Sequence, residues 1–221
     1  MTGPAAAGPS SAGLSPGGPS AAGHSPGGPS SAGLSPAYPL RTERLVLRPW
    51  RLDDLDTFHR LRRDPEVVRY LYDEPLTRDL ADAKLRSLNS SIAAPGDWIN
   101  VAVEVAATGE MAGDVGIGWI SEVHQQVELG YTFFAAHRGQ GYATEASAAM
   151  VGLAFTGLGA HRLSARLDAR NTASARVLER LGFRREADFV ENEWVKSEWT
   201  DEAVYGTLAS EWAVHHPPSE S

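Results

Sequence analysis

The chain contains no cysteine. Disulfides, thiolate metal ligands and a cysteinyl acyl-enzyme are thereby excluded, and the composition fits an intracellular, cytoplasmic setting. Long apolar runs are lacking too, so no helix is expected to span a bilayer. The opening MTGPAAAGPS has neither the basic start nor the apolar core of a secretory signal. Seven histidines are present, but they share no ligand spacing on a single element, so no metal is expected. Up to Pro39 there is no Asp, Glu, Lys or Arg. That segment is mainly Gly, Pro, Ser and Ala, with Pro9, Pro19 and Pro29 opening near-copies of PSSAGLSPGG. A repeat without an apolar face cannot bury enough surface to offset its backbone entropy, so residues 1–39 are expected to form a disordered tail.

Charge is therefore confined to the remainder, and the chain's 28 Asp and Glu against 20 Lys and Arg give a net charge of −8. A surplus of that sign argues against nucleic-acid or anionic-membrane binding and favours cationic substrates. Residues 40–214 suffice for one domain with a real core, and 215–221 are expected to be a flexible end.

Within that domain Arg44 to Trp50 reads as a first strand, stopped by Pro49. Asp53 or Asp54 can cap a helix with a Leu55, Phe58, Leu61 stripe, and Thr77 opens another with Leu80, Leu85 and Leu88 as candidate buried positions. Trp98 to Val105 and Met111 to Ile120 read as a hairpin around Ala107 to Glu110. Val127 to Phe134, a helix from Ala143 to about Phe155, His161 to Leu167 and a helix from Thr172 to Leu181 follow as strand, helix, strand, helix. Phe183 to Val190 and Ala203 to Leu208 complete an α/β fold with a mixed central sheet flanked by helices.

The turn between Phe134 and Ala146 is where chemistry is expected. Arg138, Gly139, Gln140, Gly141, Tyr142, Ala143 and Thr144 carry successive backbone N–H groups into a helix N-terminus, which suits a pyrophosphate. A Walker loop would need Lys and Ser or Thr after the last Gly; a dinucleotide fold would need a third Gly and an acidic residue ending the next strand. Neither is present.

The pattern Arg138-x-x-Gly141-x-Ala143, followed by Asn171-x-x-Ser174 and Gly182-Phe183, resembles the acetyl-CoA signature of the GNAT N-acetyltransferases. With TERLVLRPW at Thr42 to Trp50 and EWTDEAVYGTL at Glu198 to Leu208, Leu40 to Val214 is similar to the RimJ/RimL branch. The resemblance implies the GNAT arrangement, in which the strand ending at Phe134 splays from the one starting near His161 and pantetheine lies in the gap. It implies acetyl-CoA as cosubstrate and an amine-bearing acceptor, either a small molecule or a protein N-terminus, and is compatible with a homodimer.

Acetyl transfer to an alkylammonium of pKa near ~10 requires a base, whereas a leaving thiol of about 8.5 depends less on an acid. Carboxylates crowd the C-terminal strands: Glu186, Asp188, Glu191, Glu193, Glu198, Asp201 and Glu202. The resemblance to RimL-type enzymes points to Glu193, with Glu191 as the alternative, and a solvated acidic face as the structural reading. It also links Ser174 to the departing sulfur; the competing reading is a helix-start serine bonded to its own backbone. Many GNATs carry a tyrosine as acid seven residues after the Asn, where this chain has Leu178. Asn171 is expected to bond pantetheine amides, cap its helix, or both, and main-chain N–H groups near Tyr131, Thr132 and Phe133 are expected to face the oxyanion. A non-catalytic acyl-CoA sensor would keep the same loop. Among acceptors, N-termini, aminoglycosides and polyamines remain open, with polycations favoured by the acidic surplus.

Overall fold

Residues 33–215 are described by the structure, a computed structural model. The repeats before them and residues 216–221, expected as tails, lie outside the described residues. Eight strands form one sheet: β1 (Leu40–Arg41), β2 (Leu45–Pro49), β3 (Trp98–Val105), β4 (Met111–Ser121), β5 (Gln126–Phe133), β6 (Arg162–Asp168), β7 (Arg184–Val195) and β8 (Glu198–Leu208). Their spatial order is β1-β2-β3-β4-β5-β6-β8-β7, antiparallel throughout except for the parallel pair β5 and β6. The helices are α1 (Leu55–Arg63), α2 (Pro65–Val68), α3 (Arg78–Arg86), α4 (Tyr142–Gly157), α5 (Thr172–Arg180) and α6 (Ala209–His215).

Parallel neighbours need a crossover, and α4 supplies it. Ala146, Ser147, Met150, Val151 and Ala154 form its buried face. Small side chains there let the helix lie close to β4 and β5. β5 and β6 pair only at Gln126 with Arg162, Val127 with Leu163 and Glu128 with Ser164. Beyond Glu128 they separate, so on the side of β5 away from β4 the backbone of Leu129 to Phe133 lacks a strand partner. Backbone polar groups left unpaired in a protein interior are costly, so such a gap calls for a ligand or water.

Four expectations are corrected. Leu34 is only 6% exposed, and its backbone exchanges hydrogen bonds of 2.7 and 2.8 Å with Ile92, so the folded domain starts before residue 40. Leu80 is 57% exposed, because Thr77 caps the helix at Leu80 N and that phase turns Ala81 and Leu85 inward. Asp54 precedes α1 without capping it; its carboxylate instead takes Arg48 and the Arg51 backbone N–H. The last two strands form one long hairpin reaching Val195 and Glu198, turned by Lys196 and Ser197, both at positive φ.

Leu34 gives a test of the domain boundary. Its Cδ1 lies 2.6 Å from where a Cβ on Gly157 would stand, so the N-terminal segment packs against the end of α4. Leu34→Ala is expected to cost about 2–3 kcal/mol in urea denaturation, as for other buried leucines. Deletion through Pro36 should cost at least as much.

Candidate active site

Between β5 and α4 the chain passes a short turn at Ala135–His137 and then Arg138 to Gly141. Gly139 and Gly141 have φ of 76° and 82°, left-handed values that L side chains with a Cβ rarely adopt. This backbone leads the loop directly into the N-terminus of α4, whose first N–H groups have no partner within the helix. The N-terminal motif holds it there. The Glu145 carboxylate, in the first turn of α4, accepts from Thr42 Oγ1 at 2.6 Å, from the Arg44 backbone N–H at 2.8 Å and from Arg44 Nε at 2.7 Å. Arg44 Nη1 then donates to the Gln140 carbonyl at 2.9 Å, and the guanidinium stacks over the Tyr142 ring. Burial alone would raise the Glu145 carboxyl, but these bonds outweigh it and hold the group below its ordinary pKa.

A cleft of about 380 Å³ opens beside the loop. Of the residues expected around acetyl-CoA, Tyr131, Thr132, Phe133, Arg138, Gly139, Gly141, Tyr142, Ala143, Thr144, Asn171 and Ser174 line it. Gln140 does not: its side chain donates to the Ala136 carbonyl on the other side of the loop. The Thr144 hydroxyl is buried without a partner, a donor available to a phosphate oxygen. Arg138, Arg176 and Arg180 also line the cleft, and none forms an ion pair among the described residues. Sequence reasoning missed Arg176 and Arg180, whose i, i+4 spacing on α5 is visible but carries no motif.

A second cavity, of about 250 Å³, meets the cleft at Tyr70, Leu71, Tyr131, Thr132, Asn171 and Ser174. Tyr131 donates its hydroxyl to the Ser174 carbonyl at 2.9 Å, spanning the gap between β5 and α5. Asn171 caps α5 by accepting from the Ser174 backbone N–H at 3.1 Å. The Ser174 hydroxyl has no protein partner among the described residues, so the self-bonded reading does not describe it. Leu178, where a tyrosine acid was looked for, is buried in the core and also borders this cavity.

Two carboxylates, from β5 and β8, flank an arginine of β6 behind the wall of that cavity. Arg166 of β6, which lines it, pairs with Glu202 of β8 at 2.7 Å and lies 3.8 Å from Glu128 of β5. Glu202 is 2% exposed and also accepts from the Tyr72 hydroxyl at 2.8 Å and Asn192 Nδ2 at 3.1 Å. Burial pushes the Glu128 carboxyl up, Arg166 opposes this and Glu202 adds to it. Glu193 is half-buried on β7, bonded to Asn192 Nδ2, and borders neither cavity. Glu191 is exposed. Glu128, Glu202 and Glu193 alike stand behind the residues that line the two cavities, Glu128 and Glu202 against Arg166, Glu202 and Glu193 around Tyr72 and Asn192. Among the described residues no three His, Asp or Glu side chains gather as a metal site would need, and no helix is long and apolar enough to cross a membrane.

A loop that offers backbone donors to an anion, opening onto a splayed strand pair and a second cavity, is an arrangement for joining two substrates. Residues 44–184 match the model of the acetyltransferase (GNAT) domain. The chain belongs to the GNAT acetyltransferase family. It is 30% identical over 175 residues to the uncharacterised N-acetyltransferase p20 of Bacillus licheniformis, covering 79% of this chain and 98% of that protein. It is 26% identical over 155 residues to the spermidine N(1)-acetyltransferase of Escherichia coli K12, covering 69% and 80%. A probable GNAT acetyltransferase from Chromobacterium violaceum superposes with a TM-score of 0.72 at 28% identity, covering 88% of this chain and 99% of that one. This GNAT protein is an N-acetyltransferase that uses acetyl-CoA as cosubstrate, which decides against the non-catalytic sensor. The α/β fold with its mixed, flanked sheet is the one expected.

Proposed function

We propose that this GNAT enzyme, as a RimJ/RimL-like member, acetylates a small cationic primary amine by direct transfer within a ternary complex. The observation that carries this reading is the meeting of the two cavities at Tyr131, Thr132, Asn171 and Ser174. Acetyl-CoA enters along the cleft, its pyrophosphate against the loop N–H groups and Thr144, with Arg138, Arg176 and Arg180 supplying positive charge. The amine comes from the second cavity. At about 250 Å³ this cavity lies below the roughly 300–1,000 Å³ of sites for drug-sized ligands, which favours a small acceptor over an aminoglycoside or a protein N-terminus. Glu128 and Glu202 outweigh Arg166 beside it, which favours a cation. The relation to a spermidine acetyltransferase supports the same class, and the lack of cysteine supports a cytoplasmic setting.

For the chemistry, the amine must lose a proton before it attacks the thioester carbonyl. Every second N–H of β5 beyond Glu128 points away from β4 into the gap, where it can donate to the tetrahedral oxyanion. Ser174, whose hydroxyl has no partner among the described residues, donates to the departing sulfur. Glu128 takes the amine's proton through a water, with Glu193 as the alternative.

A thiol-release assay with acetyl-CoA tests the reading. Small alkylamines and polyamines should be the best acceptors, with KM rising as salt screens the acidic wall. A peptide N-terminus as the best acceptor, or a polyamine KM indifferent to salt, would overturn it.

A further inference from the structure

The sheet face that floors the acceptor cavity has been emptied of side chains at three neighbouring positions. Gly116 and Gly118 of β4 pair with Gly130 and Glu128 of β5, and Gly116 and Gly130 border the cavity. Trp98 of β3 fills the space instead. A Cβ on Gly118 would stand 2.0 Å from Trp98 Cε2, and one on Gly130 would stand 3.8 Å from its Cζ3. The indole thus lies over Gly118 and beside Gly130, while the Ile99 carbonyl and Asn100 close over Gly116, and Trp98 gives the cavity a flat aromatic surface.

Asp114, two residues before Gly116 on the same face, is the most deeply buried polar side chain lining the cavity, at 0% exposure. Its Oδ2 is held by Arg62 from α1, but its Oδ1 has no hydrogen-bond partner. Thr132 and Trp50 lie near enough to favour its charged form without reaching hydrogen-bond geometry, and the Trp50 indole N–H is already donated to Asn100 Oδ1 at 3.1 Å. Burial still pushes the Asp114 carboxyl up despite Arg62 and the more distant Lys84, so its charge is under-compensated. A buried carboxylate oxygen without a donor is costly unless something supplies one.

We propose that this end of the cavity is a second cation subsite: Asp114 Oδ1 accepts from an ammonium that is not the one acetylated, and the Trp98 face carries the methylenes leading to it. The preferred acceptors are then linear molecules with two amino groups. The inference rests on the small-amine reading above and adds what recognises the far end of the molecule. A neutral chain end leaves Oδ1 without a charged donor, and a branched chain meets the flat indole with less of its surface.

The test compares a short linear α,ω-diamine with the amino alcohol and the monoamine of the same chain length, using wild-type enzyme and acetyl-CoA. The diamine is expected to have a KM lower by about tenfold or more than either analogue, the worth of a charge-assisted bond in a buried site. In Asp114→Asn that preference should shrink towards unity while acetyl-CoA affinity, measured by calorimetry, stays within error. Trp98→Leu should raise KM for the diamine and the monoamine together. A wild-type enzyme that uses the monoamine or the amino alcohol as well as the diamine overturns the subsite, and needs no variant that must fold. Failure to acetylate any small amine would instead refute the underlying function, so the two failures are distinct.

Discussion

Gly141→Val is expected to weaken acetyl-CoA binding by about 10²-fold or more while leaving a folded protein. Gly141 sits at φ 82° immediately before α4, where a β-branched residue is strained by about 1–3 kcal/mol. Relief requires the φ to leave the left-handed region, and that rotation turns the neighbouring loop N–H groups away from their present directions. The added Cβ would also stand 3.2 Å from Arg44 Nη2, pressing on the guanidinium that ties Gln140 and Glu145 to the N-terminal strand. A hundredfold loss corresponds to about 2.7 kcal/mol, within reach of two or three mis-aimed charge-assisted bonds. Gly139→Val provides the comparison: its φ of 76° carries similar strain, but its Cβ would meet nothing within 4 Å. Calorimetric titration with acetyl-CoA reads both. Wild-type affinity in a Gly141→Val protein that retains its cooperative unfolding would remove the loop from the cosubstrate site.

What the sequence disclosed was local. The hairpin of β3 and β4, the strand into the glycine turn and α4 were readable because pattern and turn residues agree within a few positions. The β7 and β8 hairpin was read too short because its register shifts between Arg185 and Ala187 and again between Phe189 and Glu193, which breaks the alternation a strand reading depends on. Its acidic residues also belong to types depleted in strands. Leu34 was lost inside a repeat whose local sequence is the same as that around Leu14, so its contacts with Ile92 and Gly157 could not be read from pattern. The carboxylate group was illegible for a different reason. Glu128, Arg166 and Glu202 are neighbours because β8 inserts between β6 and β7, an order that no local pattern encodes. The N-terminal TERL segment gave a resemblance, yet its physical task, gripping Glu145 across about a hundred residues of sequence, became visible only in the fold.

Glu128→Gln is expected to lower kcat by about 10²-fold at neutral pH, and Glu193→Gln by much less. The Glu128 side chain is 24% exposed, on the strand that leads into the gap, two residues before Gly130 and 3.8 Å from Arg166, both of which line the acceptor cavity. Its pKa is raised by burial, and a carboxylate of higher pKa is a stronger base towards an ammonium, provided that it is still ionised at working pH. The sign follows directly. A base acts only when deprotonated, so the acid limb of the wild-type kcat/KM profile should lie above the ordinary carboxylate range and activity should rise with pH through it. Removing the carboxylate removes that limb, and the remaining rate should climb with the fraction of free amine as pH approaches the amine's own pKa, near ~10. Acetyl-CoA affinity should be retained, because Glu128 borders neither the loop nor the cleft. Glu193 lies on the outer strand, half-buried, and joins the group through Asn192 and through its field at Tyr72. If Glu193→Gln instead produces the hundredfold loss and Glu128→Gln keeps both turnover and the acid limb, the proton leaves towards the β7 edge and the assignment reverses.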